Sequence, residues 1–182
     1  MTTKIVKVTI SGRKLTMSKD PLGEVVNKVT SFLKLISGGE KIVIDQTDGK
    51  LAIGECFSIH EIIGDSEEYE INVRSSPTQE ALAEVYDSIG HQTLEDIFKS
   101  LKRNLNDLCL SQGQIVDFVI AYQSKWLRMD GYGTLFFFKV KERYFVMRAC
   151  WAGGGFYMTI GPIEDDDVWC AGCEFRIVVL QK

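Results

Sequence analysis

Histidine is nearly missing from this chain, with two in 182 residues, and proline is sparse, with three. So few histidines leave little room for acid–base chemistry built on imidazole. No serine sits in a Gly-x-Ser-x-Gly turn, so the nucleophile elbow of the α/β-hydrolases is excluded. No run approaches the ~20 apolar residues of a membrane span. The first ten residues, Met1 to Ile10, alternate basic and apolar residues and lack the apolar stretch of a secretory signal. The five cysteines (Cys56, Cys109, Cys150, Cys170 and Cys173) are odd in number and irregular in spacing, which excludes a disulfide framework. These absences predict a cytoplasmic protein with reduced thiols and no membrane partner. Internal repeats and low-complexity tracts are also lacking.

What is present is the composition of a folded chain: 45% hydrophobic and 25% charged residues. The net charge of −4 is unevenly spread. Residues 1–50 carry nine Lys/Arg against five Asp/Glu, residues 51–98 one against eleven, and residues 99–182 eleven against nine. An acidic middle between mixed ends makes a poor phosphate-tracking surface, and nucleic acid is not the expected partner.

Periodicity predicts the elements. Val6, Val8 and Ile10 alternate as a strand, and Arg13 to Met17 pairs back on it after Ser11-Gly12. Asp20-Pro21 opens a predicted helix with Leu22, Val25, Val26, Val29, Phe32, Leu33 and Ile36 on one face, ended by Gly38-Gly39. Lys41 to Asp45, a hairpin at Asp48-Gly49, and Lys50 to Ile53 follow as strands. Cys56 to Ile63 is ambiguous, with a short helix favoured. Tyr69, Ile71 and Val73 alternate, and Ser75-Ser76-Pro77 marks the predicted boundary. Helices are expected over Thr78 to Ile89, over Thr93 to Leu105, and from Ser111 to near Trp126. The last opens with a capping box in which Gln114 answers Ser111. Four strands then read at Thr134 to Val140, Tyr144 to Cys150, Phe156 to Gly161 and Glu174 to Leu180. Their short connections predict antiparallel neighbours. The predicted class is α+β: a small N-terminal sheet with one helix (residues 1–75), then helices packed on a C-terminal antiparallel β-meander (residues 77–182).

The one sequence with the look of a chemical motif is Trp169-Cys170-Ala171-Gly172-Cys173. A redox Cys-x-x-Cys needs a helix after it to acidify the first thiol. Here Glu174 to Leu180 reads as a strand, so a structural role at a strand entry is the expectation. Zinc is the alternative: Cys170 and Cys173 with Cys56 and His60, the last two spaced to share one helical face, would supply a tetrahedral Cys₃His set. His91 follows Gly90 at a helix junction, where a terminal hydrogen bond is expected. The acidic run Glu164 to Asp167 lacks the spacing of a calcium loop and reads as a solvated connection. Ala152 to Gly155 precedes a strand rather than a helix, so it reads as a hairpin and not a phosphate cradle.

Aromatic residues crowd the last third of the chain. Apolar residues on both parities of Leu135 to Phe138 imply burial on both sheet faces. Trp126, Trp151 and Trp169 are the expected exposed exceptions, and with Arg128, Arg143 or Arg148 they are candidates to anchor a protein partner or to stack on a base. The partner-binding set predicted is Trp126, Arg128, Trp151 and Trp169.

Leu110 to Phe138, with Trp-Leu-Arg-Met-Asp-Gly-Tyr-Gly at 126–133, Asp-Asp-Val-Trp at 166–169 and Arg-Ile-Val-Val at 176–179, resembles a module of uncharacterised bacterial proteins. The resemblance covers roughly the last seventy residues. It implies a bacterial or phage-related origin and a role for Trp126, Asp130, Gly131, Tyr132 and Trp169, and it implies no activity. The functional expectation is a non-enzymatic protein-interaction module without cofactor, with a zinc or thiol-redox protein as the alternative.

Overall fold

The computed structural model describes residues 6–10, 13–19, 25–26, 32–63, 72–90, 93–164 and 174–181. The chain divides into two units, residues 1–31 and 32–182. In the first, β1 (Val6–Ile10) and β2 (Arg13–Lys19) form the expected hairpin, and β3 (Val25–Val26) adds antiparallel to β2.

The second unit is α+β. An eight-stranded mixed sheet takes in β4 (Leu33–Leu35), β5 (Ile42–Ile44), β6 (Ile59–Ile62), β7 (Ala81–Ser88), β8 (Gly133–Val140), β9 (Arg143–Ala152), β10 (Gly155–Pro162) and β11 (Arg176–Leu180). Its order is β4-β7-β11-β8-β9-β10-β6, with β5 also paired to β7. The helices are α1 (Ile53–Cys56), α2 (Leu94–Leu101), α3 (Leu105–Leu108) and α4 (Gln112–Trp126).

The sheet carries a hydrophobic core on each face. α4 covers one: Ile115, Phe118 and Val119 pack on Phe136, Phe138, Met147, Ala149 and Val178. Phe118 meets Phe136 edge to face at 5.6 Å, and the Tyr122 hydroxyl donates to the Val43 carbonyl at 2.7 Å. α2 and α3 cover part of the other, where Leu94, Ile97 and Leu108 pack on Leu135, Phe137, Val146, Ile177 and Val179. The run Phe136-Phe137-Phe138 therefore feeds both cores in alternation, as the apolar residues on both parities predict. The capping box of α4 is present: Gln114 N–H donates to Ser111 Oγ at 3.1 Å and Ser111 N–H to Gln114 Oε1 at 2.9 Å. A second box, between Thr93 and Asp96, opens α2.

Several expectations are corrected, among them the short helix favoured over Cys56 to Ile63, where Ile59–Ile62 is the strand β6. Thr78 to Ile89 is not a helix but contains β7, whose Val85 and Ala83 face the α4 core while Tyr86 packs on the other. A strand covered on both faces is apolar on both parities, and Leu82, Val85, Tyr86 and Ile89 then fall at helical spacing by coincidence. The helix expected from Asp20 to Ile36 is replaced, over the residues described there, by β3 and β4; β-branched Val25 and Val26 suit a strand. Lys50 to Ile53 does not return as a strand: Gly49 does turn at φ +75°, but Thr47 bridges Thr78 and the chain enters α1 at Ile53. The meander β8-β9-β10 is antiparallel throughout, but β11 leaves it to lie parallel to β8 and antiparallel to β7. The thirteen residues between β10 and β11 are enough to carry the chain to another strand, so adjacency in sequence does not fix the pairing. β4, β5 and β6 belong to the same sheet as the later strands, so the sheet spans the boundary read at Ser75 to Pro77. Tyr69 and Ile71 lie outside the described residues, and Val73 is in no strand.

Candidate functional site

The loop from α4 to β8 carries the most organised polar cluster. α4 ends at Trp126, and Leu127 turns extended and buries at 2% exposure. Arg128 N–H donates to Thr134 Oγ1 at 3.0 Å, closing the loop on the first turn of β8. Asp130 then folds back on the Arg128 guanidinium, which donates from Nε at 3.0 Å and from Nη2 at 2.6 Å. Asp130 also accepts from Tyr132 N–H at 3.3 Å, an Asx-type turn that Gly131 completes at φ +86°. The guanidinium lies over the Tyr132 ring, 4.6 Å from its centre. On its far side Arg128 Nη1 reaches the Glu174 carbonyl at 3.4 Å and its carboxylate at 3.8 Å, just before β11.

A second arginine supports the first. Arg176 Nε donates to Asp87 at 2.9 Å and Nη1 to the Trp126 carbonyl at 3.3 Å, joining β11, β7 and the end of α4. The electrostatics follow from the pairing. The Arg128 hydrogen bonds hold the Asp130 carboxyl below its ordinary value, and Asp130 in turn raises Arg128. Arg128 is only 13% exposed, while Tyr132 and Met129 stand 43% and 42% exposed. The cluster is thus a fixed polar base presenting one aromatic and one thioether side chain to solvent.

The structure disperses the rest of the predicted set. Trp126 is not exposed: at 7% it belongs to the core under α4, because the last turn of that helix still faces the sheet. Trp151 is half-buried on β9, edge-on to Phe156 at 4.9 Å. Trp169, Cys170, Cys173 and His91 lie outside the described residues. Cys56 closes α1, exposed, and His60 lies on β6 edge-on to Tyr157 at 5.6 Å, so the shared helical face expected of Cys56 and His60 is not there. Burial first, then Glu55 and Asp117, pushes the Cys56 thiol up. Among the described residues no group of three or more His, Cys, Asp and Glu is arranged to hold a metal ion.

Clefts lie elsewhere on the surface. One of about 540 Å³ is lined by Asp48, Asp117, Thr47 and Gln79; burial, then Asp45 and Asp48, raises the Asp117 carboxyl. Another of about 720 Å³ lies between Arg74, Glu80, Ser111 and Lys139. The first gathers Asp48 and Asp117 without a histidine, and the second holds Glu80 as its one carboxylate and no histidine.

Sequence reasoning missed Met129, Thr134, Glu174, Arg176 and Asp87 as parts of the cluster. Asp130-Gly131 was the available signal, since that dipeptide marks a turn. Glu174 and Asp87 join through tertiary pairing that no local pattern carries.

No protein-family model matches the chain, and no curated protein or solved structure matches it. No helix among the described residues is long and apolar enough to cross a membrane.

Proposed function

We propose that this chain is a non-enzymatic protein-interaction module whose contact centres on Tyr132 and Met129. The observation that carries this is the Arg128–Asp130 pair. The pair, closed by hydrogen bonds of 3.0 and 2.6 Å, underlies an exposed aromatic: Asp130 accepts from Tyr132 N–H at 3.3 Å and the guanidinium lies 4.6 Å from the ring centre, while Arg128 itself stays mostly buried. A tyrosine held in one conformation loses little entropy on binding, and tyrosine and arginine are the residue types that dominate contact energies. Asp130, Gly131 and Tyr132 also fall among the residues singled out by the resemblance to the bacterial module, whose cytosolic setting we retain as part of this reading.

The test is a photo-crosslinking amino acid at position 132 in the native host, with the same probe at position 120 as a surface control. Ile120 is 61% exposed on the outer side of α4, away from the cluster. A discrete cross-linked protein from position 132, absent from 120, supports the reading. The same products from both positions, or none from 132, contradict it. Zinc or thiol chemistry at Cys170 and Cys173 is the other class, and metal analysis of purified protein separates it. The interaction reading expects no stoichiometric zinc, and zinc lost on Cys170→Ser would replace it.

A further inference from the structure

The second sheet face is covered by α2 and α3 where β11 and β8 run, and its positions on β9 and β10 differ in character. Val146 faces that core, so Arg148 and Cys150 lie on the same face of β9. Their cross-strand neighbours on β10 are Thr159 and Tyr157. Arg148 does not stand upright. A Cβ added at Gly133 would fall 2.5 Å from Arg148 Nε and 2.6 Å from its Cγ, so the side chain lies flat across β8 at the one position without a side chain. Its guanidinium reaches the Phe175 ring, 5.6 Å from the centre.

Arg148 is half-buried and, among the described residues, makes no hydrogen bond or ion pair; its Nε is buried without an acceptor. The other three arginines that cross the fold each have a carboxylate: Arg103 has Glu84, Arg128 has Asp130 and Arg176 has Asp87. A guanidinium cannot shed its charge, and a buried N–H without an acceptor is costly. The Phe175 ring offers no oxygen acceptor, so the in-plane edge of the group, where all five donors point, stays unspent. That edge matches the two-oxygen geometry of an oxyanion. We propose that Arg148 anchors a binding site for an oxyanion, a carboxylate or phosphate group, on this face, where its guanidinium crosses β8 towards the Phe175 ring. Gly133 is the floor of the site, and its lack of a side chain is a requirement of it.

The test uses the full chain and two probes, inorganic phosphate and benzoate, with sodium chloride at matched ionic strength as reference. The readout is the Arg148 Nε–Hε resonance, assigned from its loss in Arg148→Lys. A saturable shift with either probe and not with chloride is expected, with half-saturation in the millimolar range. At ten times that concentration Tm should rise by about 3–6 °C. Phosphate alone or benzoate alone names the group recognised. Arg148→Lys, which keeps the charge but not the fork, should weaken half-saturation about tenfold, read in both chains from the rise of Tm with probe concentration. No shift with either probe, a shift matched by chloride, or equal binding by Arg148→Lys overturns the proposal. If the variant does not fold, the wild-type resonance, assigned through its neighbours, decides alone.

Discussion

At the scale of single residues, two carboxylates make opposite statements about pH. Asp130 has its folded value lowered by Arg128, so its contribution is present above the unfolded value, about 3.9, and is lost as pH falls through the folded one. Asp130 is half-exposed, so Asp130→Asn should cost no more than about 1 kcal/mol at pH 7, a difference that closes on acidification. Asp117 is raised by burial and by Asp45 and Asp48. Its folded state is penalised once the carboxyl ionises, so the penalty is absent below the unfolded value and grows as pH rises through the folded one. Asp117→Asn should therefore raise stability at pH 7, by no more than about 1 kcal/mol, and leave it unchanged near pH 3. Denaturant midpoints of both variants at two pH values check the signs together. The thiols divide likewise: burial pushes Cys109 up to about 12, so it should resist a disulfide reagent until the protein unfolds, while exposed Cys56 reacts in the native state.

At the scale of elements, α4 was readable because its signals are local. Ser111 and Gln114 lie three residues apart, and the side chain of each accepts from the other's backbone N–H. Ser111→Ala should cost about 1 kcal/mol, read as a shifted denaturant midpoint without a changed slope. Phe118 packs that helix on the sheet, and Phe118→Ala should cost about 3–5 kcal/mol. β7 was not readable for a reason of the same kind. Its burial on two faces is a property of the finished sheet, and the sequence shows only that Leu82, Val85 and Tyr86 are apolar. The parallel pairing of β11 with β8 is equally invisible, since it depends on a chain path that no residue pattern encodes. The hairpins of β8, β9 and β10 were legible because their turns are short and end in residues such as Gly153, at φ +58°.

At the scale of the whole molecule, the sheet gathers strands from residue 33 to residue 180 into one unit, and the first 31 residues form another. A chain beginning at Phe32 should then unfold in a single cooperative transition with the near-ultraviolet signal of its aromatic core intact; loss of that transition would show that the units need each other. The candidate site follows the same division of legibility. Arg128 and the Asp130-Gly131 turn could be picked out along the chain, but Trp126, read as exposed, is covered by the sheet it packs on, and Glu174 reaches Arg128 only because β11 returns beside β8. In the proposed interaction this loop presents a held tyrosine to a protein partner. Its most direct measurement is the cross-link from position 132, compared between the chain with Arg128 intact and Arg128→Ala. We expect one discrete product that falls several-fold when the arginine beneath the ring is removed. An unchanged product, or none in either chain, would contradict it.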